Sequence, residues 1–595
     1  MGFLERYNDE LTALRRRAGA FAAKHPKIAG RLRMTPDTVD DPHVERMLQG
    51  FAYSAARVRQ KLEDDFPELT DTLLEALYPQ YLAPIPSMSV VAFEPSTTLD
   101  EMARLPRGFE VQTEMVRGDR CAYRTTLDID LAPVRVAGCA LERPPFRAPP
   151  APHLNARSCF SLSLEPTGGV GFGEMDGWEP TLFLRGPVPD AARLYELLLN
   201  RTLGVAVAPH ADADPAEVTW LPPSAIEAVG FAEDEAALPF PPRSFPGFRL
   251  LTEFFALPEK FLFVRLRVGD ALARVRDGRA SVYVYGDANP EPMLRSVNAE
   301  AVALHCAPVM NLFAQHAEPI HVDRTRHEYD IVPDARHHAT REVHSVRRVT
   351  LSRGNGSVEV SPFFGQRVAS PERRAGVHWQ HKRVVEEDGV ATSRLALVDL
   401  TLNAATPDTE GVASVETLCL HRTLPELLPF GGGQPYLSVR GNAERIARAT
   451  MLLAPTPTTR FDRGEGATWR LLAHLSLNHL ALTSGDPELL RDMLRLYDYR
   501  GARETGALIE SLASVTSERA TARLPDGSVV GGVDVAVTFD GSVDRGQAFL
   551  IGQVLSRFLG LYASINTFSR LTVYLAGIAL PVARFEPRTA AEPLL

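Results

Sequence analysis

The first 86 residues carry apolar side chains at the spacing expected of amphipathic helices. Steps of three and four positions repeat in two segments, which is the heptad spacing of helices that pack along a seam. The second helix is expected to begin at Asp41 and Pro42, a capping residue followed by proline at the first helical position. A third, short helix fits residues 69–78. The seam positions are Tyr7, Leu11, Leu14, Ala18 and Phe21 in the first helix and Val44, Leu48, Phe51, Ala55, Val58 and Leu62 in the second.

Two interpretations of these heptads stay open at the level of the sequence. The helices can form an antiparallel hairpin whose apolar side chains close an internal core or pack on the next domain. Alternatively, the seam is shared with another chain, since about three heptads per helix are long enough for part of a bundle. Residues 1–33 carry eight basic and three acidic side chains. We interpret them as a solvated or partner-facing surface and not as a nucleic-acid arm, because no base-stacking aromatics are interleaved with the charges.

From about residue 87 the apolar pattern changes to a period of two, which is typical of strands. Prolines and glycines interrupt this pattern, as at 143–152 and 168–173. Short helices are inserted, for example over 191–199 behind Asp190. The spacing predicts β-sandwich or β-barrel modules with insertions. The predicted strands are Ser89–Phe93, Cys121–Thr125, Leu127–Val136, Phe160–Leu164, Thr181–Leu184, Phe261–Val268 and Ala280–Tyr285.

The last 140 or so residues mix both periodicities. Helices are predicted over 469–482, from Asp486 through 496, and over 547–563, with a closing strand at 571–576. Asp526-Gly527 is a hairpin signal, and Gly431-Gly432-Gly433 predicts a hinge or tight turn. The fold class is therefore α+β and multidomain. We expect an N-terminal helical domain (1–86), two β-rich domains (87–300 and 301–445) and a mixed α/β C-terminal domain (446–595).

Composition narrows the class of protein. The 595 residues are 45% hydrophobic and carry 64 basic against 74 acidic side chains, so general nucleic-acid binding is not expected. No Gly-Lys pair exists, which excludes a Walker-type phosphate loop. The five cysteines never stand as Cys-x-x-Cys, which argues against a disulfide framework and a cysteine zinc site. We find neither a signal peptide nor a transmembrane segment, so an intracellular location without membrane insertion is expected.

Histidines form the largest group of candidate functional residues. Seven histidines within forty residues lack the His-x-x-x-His spacing of a metal site, so we interpret them as structural or surface residues. His474 and His479 are five residues apart and cannot share one helical face. A Gly-x-Ser-x-Gly elbow is also absent. We therefore predict no catalytic, cofactor-binding or metal-binding residue. The seven are His305, His316, His321, His327, His337, His338 and His344.

Eight segments carry a resemblance to a known family. In order along the chain, from about residue 3 to 585, they resemble the TssF family, the baseplate subunit of the bacterial type VI secretion system. One departure is the segment 418–425, where the family more often has Asn and Asp at the positions of His421 and Thr423. The segments are His25–Leu32, Asp41–Arg46, Phe66–Thr70, Tyr78–Met88, Arg326–Asp334, Glu342–Val346, Trp469–Asn478 and Phe558–Asn566.

The resemblance implies a structural protein of the baseplate wedge, similar to wedge proteins of contractile phage tails. It implies assembly with TssG, typically two TssF copies per TssG, and attachment to the membrane complex through TssK trimers. TssE and the sheath are expected on the other side, and the VgrG spike at the centre. The implied location is the cytoplasm, at the inner face of the inner membrane. No catalysis and no cofactor are expected.

The resemblance gives the heptads a possible role. A wedge needs an element that joins unlike chains, and we expect the N-terminal seam to contact the second TssF copy and TssG. Two other classes are kept as alternatives, a cell-wall or polysaccharide hydrolase and a secreted effector. The first would usually need a secretion signal, and the second a nucleophile or metal constellation. The candidate interface residues are Tyr7, Leu11, Leu14, Phe21, Val44, Leu48 and Phe51.

Overall fold

In the computed structural model, the described residues form two compact units, with a boundary in the sequence between Leu77 and Tyr78. The described residues are 3–33, 41–63, 67–151, 154–175, 177–241, 244–276, 278–323, 326–353, 356–364, 377–385, 391–399, 411–439, 444–461, 486–523, 529–563 and 567–589. The predicted helix over 469–482 lies outside these ranges.

Helices form the first unit, and the second unit mixes helices with sheets. The helices in the described ranges are α1 (Phe3–Lys24), α2 (Pro26–Arg31), α3 (Pro42–Glu63), α4 (Pro67–Leu77), α5 (Val188–Asn200), α6 (Pro246–Ala256), α7 (Gly269–Leu272), α8 (Pro487–Tyr497), α9 (Arg503–Glu510) and α10 (Arg545–Leu561). The strands in the same ranges are β1 (Met88–Pro95), β2 (Ala103–Leu105), β3 (Glu110–Val116), β4 (Asp119–Thr125), β5 (Ile129–Leu131), β6 (Val134–Glu142), β7 (Ser158–Pro166), β8 (Thr181–Leu184), β9 (Thr202–Ala208), β10 (Thr219–Leu221), β11 (Ile226–Val229), β12 (Phe263–Leu266), β13 (Ala280–Gly286), β14 (Val302–Ala303), β15 (Cys306–Met310), β16 (Phe313–His316), β17 (Ile320–Val322), β18 (Glu328–Asp330), β19 (Arg341–Arg353), β20 (Gly356–Pro362), β21 (Val377–Val385), β22 (Ala391–Asp399), β23 (Gly411–His421), β24 (Leu437–Val439), β25 (Ile446–Met451), β26 (Leu512–Arg523), β27 (Val529–Phe539), β28 (Phe568–Leu575), β29 (Ala583–Arg584) and β30 (Arg588–Thr589).

Local sequence signals set the helix starts. Asp41 precedes α3, and its Oδ1 accepts the backbone N–H of His43 at 2.8 Å, which confirms the predicted start at Pro42. Asp486 caps α8 in the same way, with its side chain accepting the N–H of Glu488. The helix expected behind Asp190 instead starts earlier, at Val188 after Pro187, because proline is well suited to the edge of the first turn.

One predicted strand is wrong in its extent. The segment expected as a single strand over 127–136 is divided into β5 and β6, with Ala132 and Pro133 between them. Proline has no backbone N–H to donate to a ladder, so it separates the two strands. The seven other predicted strands, including the closing strand at 571–576, are confirmed, with ends shifted by at most three residues.

A six-stranded sheet in the second unit has the order β24-β3-β4-β15-β1-β25. Within it, Val91 of β1 pairs with Ala307 on one side and with Met451 on the other, both antiparallel. Strands separated by more than three hundred residues are therefore neighbours, and the sheet takes strands from three of the four predicted ranges. The four-domain division itself stays a prediction.

The eight-stranded sheet curls back on itself. Its order is β16-β23-β19-β20-β21-β22-β18, and β17 also pairs with β23. Ile320 of β17 pairs with Ala413 near one end, and Tyr329 of β18 pairs with Leu395 at the other. Because β17 and β18 are joined by a short connection, the two ends of the sheet must approach each other. Their side chains meet in one apolar core around Val349.

The C-terminal part is a hairpin followed by a helical crossover. Strands β26 and β27 pair antiparallel, β28 runs parallel to β27, and α10 lies between them in the sequence. Asp544 caps α10 by accepting the N–H of Gly546 at 2.9 Å and also pairs with Arg193 of α5 at 2.9 Å. Position 546 has no room for a side chain, since a Cβ there would lie 2.7 Å from the Ala192 carbonyl oxygen. These contacts fix the start of α10 against α5.

A buried ion pair joins the six-stranded sheet to the eight-stranded sheet. Asp119 at the start of β4 receives two hydrogen bonds from Arg341 at the start of β19, each at 3.0 Å, and their side chains are only 7% and 19% exposed. Burial opposes ionisation of Asp119, but hydrogen bonds from Arg341, the Arg120 backbone N–H and the Thr340 hydroxyl lower its pKa to about 2. The bidentate geometry fixes both distance and angle between the strands.

Replacing Asp119 with Asn should destabilise this junction. Asn keeps the shape but removes the bidentate counter-charge of Arg341, which then keeps only its contact with Asp334 Oδ2 at 3.1 Å, so we expect the free energy of unfolding to fall by about 2 kcal/mol. Chemical denaturation at pH 7 measures this loss. The exposed pair Arg143–Glu291, with side chains 68% and 53% exposed, supplies the control. Glu291→Gln should cost under about 1 kcal/mol, and equal losses in both variants would contradict the assigned role.

Candidate partner-binding surface

Helices α1 and α3 pack together through mostly small side chains. Among the side chains described for these helices, the buried ones are Leu11, Ala18 and Ala22 in α1 and Ala52 and Ala56 in α3, the last two fully inaccessible. Residues 52 and 56 are one helical turn apart and form a narrow stripe on α3. The helices of this pair can therefore approach closely without burying a large side chain of α3.

The large apolar side chains of α3 lie on another face. Met47, Phe51 and Val58 are 72%, 65% and 60% exposed. The predicted seam included Phe51, Ala55 and Val58, whereas Ala52 and Ala56 are the most buried positions, so the heptad detail is not confirmed. The reason is physical: a helix with apolar residues all round has more than one possible seam, and alanine permits the closest contact.

The candidate residues divide into three groups. Leu14, Val44, Leu48 and Phe51 come together and line an open groove of about 520 Å³. Leu11 is buried, while Tyr7 is half-buried and Phe21 is 40% exposed, and none of these three lines the groove. Met47, Gly50 and Ser54 complete the lining. Met47 was missed, although its position four residues before Phe51 on the same helical face was a usable signal.

Charged side chains border this groove. Arg15 of α1 pairs with Glu45 of α3, with side chains 53% and 21% exposed. Gln49 donates to the same Glu45 carboxylate at 3.3 Å. Arg16, Arg17 and Arg46 are exposed nearby in the sequence. An apolar strip bordered by polar side chains is the arrangement found at protein–protein interfaces.

The histidine-rich segment does not form a single cluster. His305 and His344 are buried, His337 bonds Asp334 at 2.9 Å, and His316 and His338 are exposed. Burial lowers the pKa of His305 to about 4 and that of His344 to about 3. Across the described ranges, no three histidine, cysteine or carboxylate side chains converge as a metal site would require. These side chains are therefore parts of the folded core or surface.

The segment that departs from the family pattern lies beside the Asp119–Arg341 pair. His421 is buried; its backbone N–H donates to Asn311 Oδ1 at 2.7 Å, and its Nδ1 lies 3.0 Å from Asn311 Nδ2. Burial lowers the pKa of His421 to about 4, although the Asp119 charge acts in the opposite direction. Thr423 is exposed and makes no capping hydrogen bond to the short helix that follows. His421 is therefore part of the junction between the six-stranded and eight-stranded sheets.

Within the described parts of the chain, the helices are too short or too polar to cross a lipid bilayer.

Known proteins match the chain over almost its whole length. The family model described as "Type VI secretion system, TssF" matches residues 1–592. The type VI secretion system component TssF1 of Pseudomonas aeruginosa is 33% identical over 624 aligned positions, which cover 100% of this chain and 99% of the relative.

Solved structures show the same similarity. A chain of the type VI secretion TssK-TssF-TssG baseplate subcomplex, determined by cryo-electron microscopy, matches with a TM-score of 0.75 and 27% identity. The match covers 92% of this chain and 99% of that one. A chain of the type VI secretion baseplate complex matches with a TM-score of 0.64 and 26% identity, covering 99% and 100%.

The buried histidines predict acid sensitivity. Their pKa values are below the ordinary value of about 6.5, so the unfolded chain takes up protons between pH 6.5 and 4 that the folded chain does not. The contribution of each histidine to the free energy of unfolding should therefore be fully present above pH 6.5. Below that pH it should fall by about 1.4 kcal/mol for each pH unit, down to the pKa of the folded state. His421→Asn should flatten this slope in denaturation series from pH 7 to 4.5. The exposed His338→Asn is the control, and an equal slope in all three proteins would refute the assignment.

Proposed function

The chain belongs to the TssF family of the type VI secretion system, and from this premise we propose that the groove on α3 joins it to neighbouring chains of a baseplate wedge. Its role is structural, as a component of the baseplate. The solved relatives are described as parts of a TssK-TssF-TssG baseplate subcomplex and of the baseplate complex of the type VI secretion system. By this likeness, TssG and TssK are the partners to test first.

One observation carries the proposal. Met47, Phe51 and Val58 place large apolar side chains in solvent on the helix whose alanines serve its internal packing. Fully burying a side chain of this kind contributes about 1.5–3 kcal/mol. Part of that gain is offset by the ordering costs of association. A partner helix that covers the groove would therefore add several kcal/mol to assembly.

The proposed occupants are a second copy of this chain and TssG, in a ratio of two to one. A second copy of this chain can present its own apolar α3 face to the open groove. TssG is a candidate because a solved relative is described in a complex with it. TssK trimers would link the wedge to the membrane complex, and TssE with the sheath and the VgrG spike would meet other surfaces. The assembly would then act in the cytoplasm, at the inner face of the inner membrane.

We also propose that the chain carries out no chemistry. The hydrolase and effector alternatives both require converging nucleophiles, carboxylates or metal ligands. The buried titratable groups described above are instead used in packing. The Asp119 carboxylate, for example, is bound by Arg341 and Thr340, and His421 is held by Asn311. Membership of the TssF family supports a purely structural role. The use of these buried polar groups in packing supports it as well.

Charge introduced into the groove should block assembly without unfolding the chain. Met47→Asp and Phe51→Asp alter exposed side chains, so the melting temperature should change little. A partner helix would have to bury the new carboxylate, which should weaken association by at least tenfold. Co-expression with TssG from the same organism, followed by mass determination of the purified complex, measures the effect.

The control variant is Tyr53→Asp on the same helix. Tyr53 is 45% exposed and is not part of the groove lining. It should co-purify with TssG like the unmodified chain. If Phe51→Asp folds and still forms the two-to-one complex, the groove is not the shared surface, and partners must bind elsewhere.

A further inference from the structure

Two half-buried arginines lie side by side at the C-terminal helix. Arg557 is on α10, and Arg588 begins β30, which packs on the same helix. In the described part of the chain, no carboxylate lies within ion-pair distance of either guanidinium. Two other arginines of this region are paired: Arg545 with Glu196 at 3.1 Å and Arg570 with Asp534 at 2.6 Å. Arg557 and Arg588 therefore differ from these neighbouring arginines, because no described carboxylate forms an ion pair with them.

Contacts with the protein hold the Arg557 guanidinium in place. Its Cζ lies 3.7 Å from the centre of the Phe231 ring, which is close for a cation–π contact. Its Nη1 donates to the Gln553 carbonyl oxygen at 3.0 Å and also to the Gln553 side-chain oxygen. These contacts orient the group, but they use neutral acceptors and provide no ion pair.

Arg588 reaches the same flank of α10. Its Nε lies 3.4 Å from Ser556 Oγ, and its stem packs against Gly560, where an added Cβ would lie 2.7 Å from the Arg588 Cβ. Ser556 and Gly560 are one turn apart and on either side of Arg557 in the sequence. Burial, and then the neighbouring Arg588 charge, lower the pKa of Arg557 to about 10. The two charges thus repel each other where solvent screening is weak.

A third polar group at this place lacks a partner. Tyr195 of α5 is fully buried, and its hydroxyl has no hydrogen-bond partner among the residues that the structure describes. Burial raises the pKa of Tyr195, and the Arg557 charge opposes that shift, so the hydroxyl and the guanidinium act on each other. The Glu235 charge also acts on Arg557, but this carboxylate forms no ion pair with Arg557, and its Oε1 lies 3.9 Å from Arg265. One of its oxygens already accepts three backbone N–H groups, from Gly230, Phe231 and Ala232.

We propose that Arg557 and Arg588 form a binding site for an oxyanion, either a phosphate or a carboxylate. The carboxylate charges that act on the two arginines, Glu235 on Arg557 and Glu586 on Arg588, form no ion pair with them, whereas an oxyanion between the guanidinium groups would accept charge-assisted hydrogen bonds from both. The fork of donors on each arginine suits the paired oxygens of such a group. This site is separate from the groove on α3, so each can fail without affecting the other.

Thermal unfolding of the full chain in phosphate, compared with chloride at equal ionic strength, tests the site. Because an anion that binds only the folded chain stabilises it, we expect the melting temperature to rise by a few degrees and to saturate at millimolar phosphate. Arg588→Gln should lose at least half of this rise. Arg588→Lys, which keeps the charge and the folded stem, should retain more of it than Arg588→Gln.

Arg584→Gln is the matched control, since Arg584 is 59% exposed and lies 3.7 Å from Asp534. It should keep the full rise. A parallel series in glutarate distinguishes the source of the oxyanion. A rise with glutarate supports a carboxylate presented by a neighbouring chain, and a rise with phosphate alone supports a free phosphate. An equal rise in Arg588→Gln and the unmodified chain, or no saturable rise with either anion, would overturn the proposal.

Discussion

The bidentate pair between Asp119 and Arg341 is the constraint on which the arrangement of the two largest sheets depends. Its residues begin β4 and β19, so one contact sets the position of both strands. Asn311 reinforces the junction by donating to the Ala122 carbonyl oxygen at 2.8 Å while it accepts from the His421 backbone. In a medium of low dielectric such a network tolerates little displacement, which makes the junction rigid.

The sequence was informative wherever structure is local. Helix starts at Pro42 and Pro487 follow from side-chain caps, and Gly431, Gly432 and Gly433 all adopt positive φ in a tight turn. For the same reason, the alternation of apolar and polar residues located eight strand segments, but most of the thirty strands in the described ranges were not predicted. Their pairing was not predictable, because neighbours such as β1 and β25 are far apart in the chain and alternation carries no information about the partner strand.

The candidate surface was predicted in part. Periodicity identified α3 as a helix with surplus apolar side chains, and four of the seven candidates line one groove. It did not distinguish the face used by α1, because Ala52 and Phe51 count equally as apolar positions. Side-chain size decides this, since small residues allow closer packing and leave the larger ones outside. Unneutralised charges such as Arg557 gave no sequence signal at all, because pairing depends on tertiary distances.

The exposed face of α3 also bears on the life of the protein before assembly. A newly made copy presents Met47, Phe51 and Val58 to the surrounding solution. Surfaces of this kind self-associate and are recognised by chaperones and proteases. The concentration of the free subunit is thereby limited by the supply of whatever covers that face. In the proposed assembly, balanced synthesis of the interacting chains would keep this face covered, and an excess of this chain alone would be prone to aggregation or degradation.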